Sequence, residues 1–138
     1  AGAGARHSTL RFEGTRNIVA AMKAEGVRRL VIVSSLGVGE SRGNLPFLVR
    51  AVLVPLFLRH AFADHERQEA CVRESGLEWT IVRPAALTDG PRTSRYRHGF
   101  APDDRSVRGK ISRADVADFV LTCLESGDDV RRASGLSY

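Results

Sequence analysis

Apolar positions along the chain fall into two alternating rhythms. Ile18, Val19 and Met22 recur at helical spacing and gather on one face of a helix expected over residues 15–25, with Gly26 as its stop. Leu30, Val31, Ile32 and Val33 then run without interruption, as in a strand buried on both faces of a parallel sheet. The longest apolar run covers residues 51–58, where Pro46 suits the first turn of a helix through Leu58 and Pro55 is expected to kink it. A second helix is expected from about Asp64, with Asp64 capping its free N–H groups, Ala70, Cys71 and Val72 on its apolar side and Gly76 ending it. The strand at 79–82 is rich in β-branched and aromatic residues and is ended by Arg83-Pro84. Residues 89–109 are polar and rich in Arg, Gly and Pro, a loop of the length that compact domains keep for function or disorder. A helix at 112–125, capped by Ser112 with Asp115 at its third position, leads to a short strand at 134–137.

Helix and strand in strict succession predict an α/β chain with a parallel sheet. Ligands of such sheets bind beyond the carboxyl ends of the strands, so Pro84 to Thr88 are expected on a site.

Length and composition narrow the class. At 138 residues and 43% hydrophobic content the chain suffices for one core and one domain. The run at 51–58, bounded by Arg50 and Arg59, is far short of the roughly 20 residues that span a bilayer, and no membrane partner is expected. Cys71 and Cys123 belong to no C-x-x-C or Cys/His cluster, which points to free thiols, a cytoplasmic location and no metal. The net charge of +5 comes from arginines dispersed along the chain, with lysine only at Lys23 and Lys110. Dispersed charge without a recognition motif argues against nucleic acid. The denser patch at Arg92, Arg95, Arg97 and His98 instead suits a phosphate-bearing cofactor or an anionic substrate.

The only candidate dinucleotide fingerprint is AGAGARH at the start. Gly2 and Gly4 fit the first two positions of G-x-G-x-x-G, but His7 stands at the third and no strand precedes Gly2, so the motif fails. Asp115 and Glu69 read as structural carboxylates, one a helix cap and the other a partner for a nearby arginine.

Three blocks, EGTRNIVAAMKAEGVRRLVIVSS (13–35), ADHERQEACVRESGLEWTIVRPAALTDGP (63–91) and ISRADVADFVL (111–121), resemble the NmrA-like, biliverdin reductase B-like branch of the atypical short-chain dehydrogenase/reductases. The resemblance implies the C-terminal portion of a Rossmann-like, doubly wound parallel sheet in three αβα layers. It also implies NADP or NAD as cofactor and a single, N-terminally truncated NAD(P)-binding domain over 1–138 that lacks the glycine-rich turn. Gly2 to Arg6 resembles a glycine-containing loop after the family's fourth strand, which puts Gly2 and Ala3 at the cofactor. Ser34 and Ser35 stand where the family has a hydroxyl facing the nicotinamide or its ribose, and Ser35 is expected to donate to a substrate carbonyl as hydride arrives. Pro84, Ala85, Ala86 and Leu87 match the family loop that backs the nicotinamide, although the histidine that biliverdin reductase B-like members carry near Ala86 is absent. Tyrosine-dependent members use Y-x-x-x-K, which is missing here, and His65 stands at about the place of that lysine, where it would hold a ribose hydroxyl, a phosphate or a proton-relaying water.

The expected function is therefore an NAD(P)H-dependent oxidoreductase passing hydride to a small quinone, flavin or carbonyl acceptor, with Ser35 and His65 as catalytic groups. The alternatives are a non-catalytic NAD(P)-sensing regulator or interaction module, and an inactive fragment. Besides the small-molecule substrate, the expected partner is a second copy in a homodimer or the missing N-terminal segment, because the strand at Leu30 would otherwise expose an unpaired edge.

Overall fold

Alternation along one short strand sets up two cores. Leu30 and Ile32 of β1 (Arg29–Val33) pack to one side with Val19, Val72, Leu77, Trp79 and Ile81, while Val31 packs to the other against Val82, Phe119 and Leu136. The computed structural model describes residues 9–138 apart from Arg105. Its main sheet has the order β1, β2 (Glu78–Pro84), β6 (Arg132–Ser137), β4 (Arg97–His98). The first three run parallel, with Leu30 opposite Trp79 and Ile81 opposite Ala133, and β4 is antiparallel to β6. Two further strands, β3 (Ala86–Thr88) and β5 (Lys110–Ser112), form a separate parallel pair.

Helices α1 (Leu10–Ala24) and α2 (Arg59–Arg73) cover the first core, and α3 (Arg113–Ser126) covers the second with Val116, Phe119 and Cys123. This is the expected three-layer α/β arrangement, with a mostly parallel sheet. Each fully buried side chain such as Ile81 or Val72 contributes on the order of 1.5–3 kcal/mol, so both faces of the sheet are held by burial.

Several boundaries differ from the sequence reading, each for a tertiary reason. The second helix begins at Arg59 rather than near Asp64, and Asp64 lies buried inside it. Its carboxylate caps α1 instead, accepting from the backbone N–H groups of Arg11 and Phe12 at 3.2 Å each and pairing with the Arg11 guanidinium at 3.4 Å. Helix α1 accordingly starts at Leu10 rather than at residue 15. After β1 the chain makes a 3-10 turn at Gly39–Asn44, then a wide π-helical stretch at Val49–Leu58 that runs straight into α2. Pro55 sits inside that stretch. Proline has no N–H to give, and the wider i→i+5 turns of this stretch carry the missing bond without a break. The expected loop at 89–109 contains β4, and the third helix and last strand lie within two residues of their expected limits.

Ser112 caps α3 as expected, accepting from the Asp115 N–H at 3.0 Å. Arg83, read as the end of a strand, is instead part of β2 and only 2% exposed. Among the described residues no helix is long and apolar enough to cross a membrane.

Candidate functional site

Strands β1 and β2 end side by side, and the chain leaves both into one cleft of about 700 Å³. Two backbone bonds extend the pairing beyond the strands: Ser34 N–H to Val82 O at 2.7 Å and Leu36 N–H to Pro84 O at 2.9 Å. These bonds hold Ser34, Ser35, Pro84 and Ala85 at the mouth of the sheet. Ala85 and Ala86 are fixed in turn by their N–H groups, which reach Leu136 O at 2.9 Å and Gly109 O at 3.1 Å. The opposite wall is the helical segment after Leu45, which presents Val49, Leu53, Leu58 and Phe62. Gly37 makes the sharp exit from β1 at φ +96, where an added Cβ would stand 2.3 Å from Leu45 Cδ1.

Seven residues singled out by sequence, Ser34, Ser35, His65, Pro84, Ala85, Ala86 and Leu87, line this one cleft. Gly2 and Ala3 lie outside the described residues. Sequence reasoning missed the apolar wall and two arginines, Arg108 and Arg113, that also line the cleft. The signal for Arg113 was present, since it directly follows the Ser112 cap at the end of β5. Arg113 pairs with Asp89 at the surface.

The two serines are in different situations. Ser34 is buried and donates its hydroxyl to Glu69 Oε1 at 2.6 Å. Glu69 is gripped by Arg83, from Nε at 2.9 Å and from Nη2 at 2.5 Å, and Arg83 also reaches Glu40 at 3.0 Å. A buried cation thus meets two carboxylates behind the cleft, one of which also accepts from a hydroxyl. Burial alone would raise the Glu40 pKa, but the hydrogen bond from Arg83 and the charges of Arg83 and Arg73 bring it down to about 2. Ser35 is half-buried, and its one side-chain bond, to Leu36 O, is long at 3.3 Å. Its hydroxyl is the one that can turn to a ligand.

His65 is half-buried on α2, with Nδ1 3.2 Å from Gln68 Oε1. Burial, reinforced by the charge of Arg11, lowers its pKa from the ordinary 6.5, so the ring is neutral at physiological pH. Both tyrosines are engaged away from the cleft. Tyr96 donates to Asp118 at 2.9 Å, and burial followed by that carboxylate pushes its pKa up to about 12. Tyr138 donates to Asp115 at 2.7 Å. Asp115 also accepts from the N–H groups of Thr93 and Ser94 at 2.7 and 2.9 Å, so it anchors a loop as well as standing in the first turn of α3. Burial opposes its ionisation, yet these bonds, that from Tyr138 foremost, lower its pKa well below the carboxylate range. Among the described residues no cluster of His, Cys, Asp and Glu fits a metal.

A family profile described as NAD(P)H-binding matches residues 1–127. The chain is 33% identical over 112 residues to an uncharacterized chloroplastic protein of Arabidopsis thaliana, covering 80% of this chain and 39% of that one. It is 30% identical over 126 residues to an uncharacterized sugar epimerase, YhfK, of Bacillus subtilis, covering 91% of this chain and 52% of the relative. The chain therefore spans 39% and 52% of the length of these two relatives. Among solved structures, a short-chain dehydrogenase/reductase of Veillonella parvula in complex with NADP superposes with a TM-score of 0.77 at 20% identity, over 95% of this chain and 60% of that one. At that identity the likeness shows the fold.

Proposed function

The chain belongs to the NAD(P)H-binding family, within the atypical short-chain dehydrogenase/reductases that its sequence resembles, and on that footing we propose that its cleft serves hydride transfer from NAD(P)H to a small quinone, flavin or carbonyl acceptor. The observation that carries this reading is the convergence of Ser35, His65 and the Pro84, Ala85 and Ala86 backbone on one cleft beyond the carboxyl ends of two parallel strands.

The residues present suit the nicotinamide end of the cofactor. Ala85 and Ala86 leave room for a flat ring, the Val49, Leu53 and Phe62 wall is apolar, and a hydroxyl, a neutral imidazole and two arginines supply the polar contacts. NAD(P)H, when bound, supplies the hydride. Ser35 donates a hydrogen bond to the acceptor oxygen as negative charge gathers there. His65, neutral at working pH, orients a water or ribose hydroxyl through which solvent returns the proton. Arg108 and Arg113 attract anionic groups of cofactor or acceptor. The buried Arg83, Glu69 and Ser34 bonds hold the floor of the site in place.

The test has two stages. Titration of NADPH into the protein, followed by nicotinamide fluorescence, is expected to show saturable binding that competes with NADP. Addition of a benzoquinone is then expected to drive NADPH oxidation that Ser35→Ala suppresses. Binding without turnover on quinone, flavin and aldehyde acceptors would replace this reading with that of a dinucleotide-sensing regulator. One observation favours that second reading: neither tyrosine hydroxyl faces the cleft, so no phenol supplies the proton.

A further inference from the structure

The outer side of the cleft wall is apolar and uncovered. Phe47 is 70%, Leu48 71%, Leu56 68% and Phe57 62% exposed, and Val52 and Leu53 lie between them along the same helical segment. Val49, Val54 and Leu58 are what tie this segment to the body, through Val38 and Phe62. Large contiguous apolar surfaces mark contact sites for another phase or protein.

The charge around the strip selects what covers it. From Ser41 to Ala63 the sequence has no Asp or Glu, while Arg42, Arg50 and Arg59 punctuate it. None of these three arginines forms an ion pair with a described acid. In a two-fold contact of this strip with its own copy, the same arginines would face one another with no carboxylate between them. An anionic surface meets both features at once, since basic residues are attracted to it while apolar side chains sink below the headgroups.

We infer that the segment from Phe47 to Arg59 docks the protein flat on an anionic lipid bilayer, with Phe47, Leu48, Leu56 and Phe57 inserted and Arg50 and Arg59 at the headgroups. This departs from the expectation of no membrane partner, which rested on length: a run too short to span a bilayer is long enough to lie in its surface. Val49, Leu53 and Leu58 of the same segment line the cleft, so docking brings the cleft wall against the lipid.

Sedimentation with phosphatidylcholine vesicles, with and without phosphatidylglycerol, tests the inference. The protein is expected to sediment with the mixed vesicles, weakly with phosphatidylcholine alone, and to be released by salt. Arg50→Gln and Arg59→Gln should each weaken binding about fivefold. The pair Leu56→Ser and Phe57→Ser should weaken it more than tenfold with an unchanged circular dichroism spectrum, because neither side chain lines the cleft. A Phe57→Trp variant should shift its fluorescence to the blue on the mixed vesicles. Protein left in the supernatant at low salt, or binding that ignores both pairs of substitutions, would overturn the inference. So would a dimer in solution that the two serines dissociate, since the strip would then be an interface between copies.

Discussion

Ser34 donates its hydroxyl to Glu69 at 2.6 Å inside the protein, while its neighbour Ser35 keeps a hydroxyl held by one long bond at the cleft. Adjacent residues of one type thus take opposite duties. Ser35→Ala is expected to lower turnover with the quinone by about a hundredfold, the scale of losing one donor to a developing oxyanion, at nearly constant melting temperature. Ser34→Ala is expected to lower the melting temperature instead. Paired kinetics and thermal melts on the two variants check this.

Glu69→Ala leaves the Arg83 guanidinium buried with the more exposed Glu40 as its remaining partner. Breaking a buried pair on one side costs about 3–5 kcal/mol, and Glu40 should hold the loss near the lower figure. Urea denaturation of the variant measures it, with a lowered midpoint and an unchanged slope as the expected result.

Asp64→Ala removes a cap that lies 52 residues from the N–H it serves. The expected loss is about 1–2 kcal/mol, with faster hydrogen exchange at Arg11 and Phe12 before any change in the sheet. An exchange map that protects those two amides equally in both proteins would contradict the assignment.

His65 titrates below its ordinary 6.5, so the folded state binds its proton less readily than the unfolded chain. The stability this neutral ring contributes is fully present above pH 6.5 and is lost as pH falls through the lowered folded value. His65→Gln is expected to flatten the fall in melting temperature on the acid side of that pH. Glu40 acts lower, its contribution vanishing only as pH drops from its ordinary 4.5 through about 2.

Local signals made much of the architecture readable. The run from Leu30 to Val33 and the stop at Gly26 need nothing but neighbouring residues to be interpreted, and Ser112 caps the helix that follows it at once. The clustering of Ser35 with Ala85 and Ala86 was also legible, because both segments follow strands of a parallel sheet. What stayed hidden depends on distance. Nothing near Asp64 reveals that its carboxylate serves Phe12, and Arg83-Pro84 reads as a strand end until Glu69 is placed beside it. The cleft's apolar wall escaped for a similar reason, since residues 51–58 read only as an apolar run in a helix through Leu58, and only their exposure separates a wall from a core.

Arg108 N–H bonds to Tyr138 O at 2.9 Å, and Tyr138 O–H bonds to Asp115, whose carboxylate also holds Thr93 and Ser94. Mechanically this is a tie rod: it anchors the long loop near both ends to the first turn of α3, and it fixes where one of the cleft's two arginines stands. A strain applied at Tyr138, whether by a bound molecule or by a pull on the chain, would be transmitted to Arg108 and, through the Tyr138 N–H on Lys110 O, to β5.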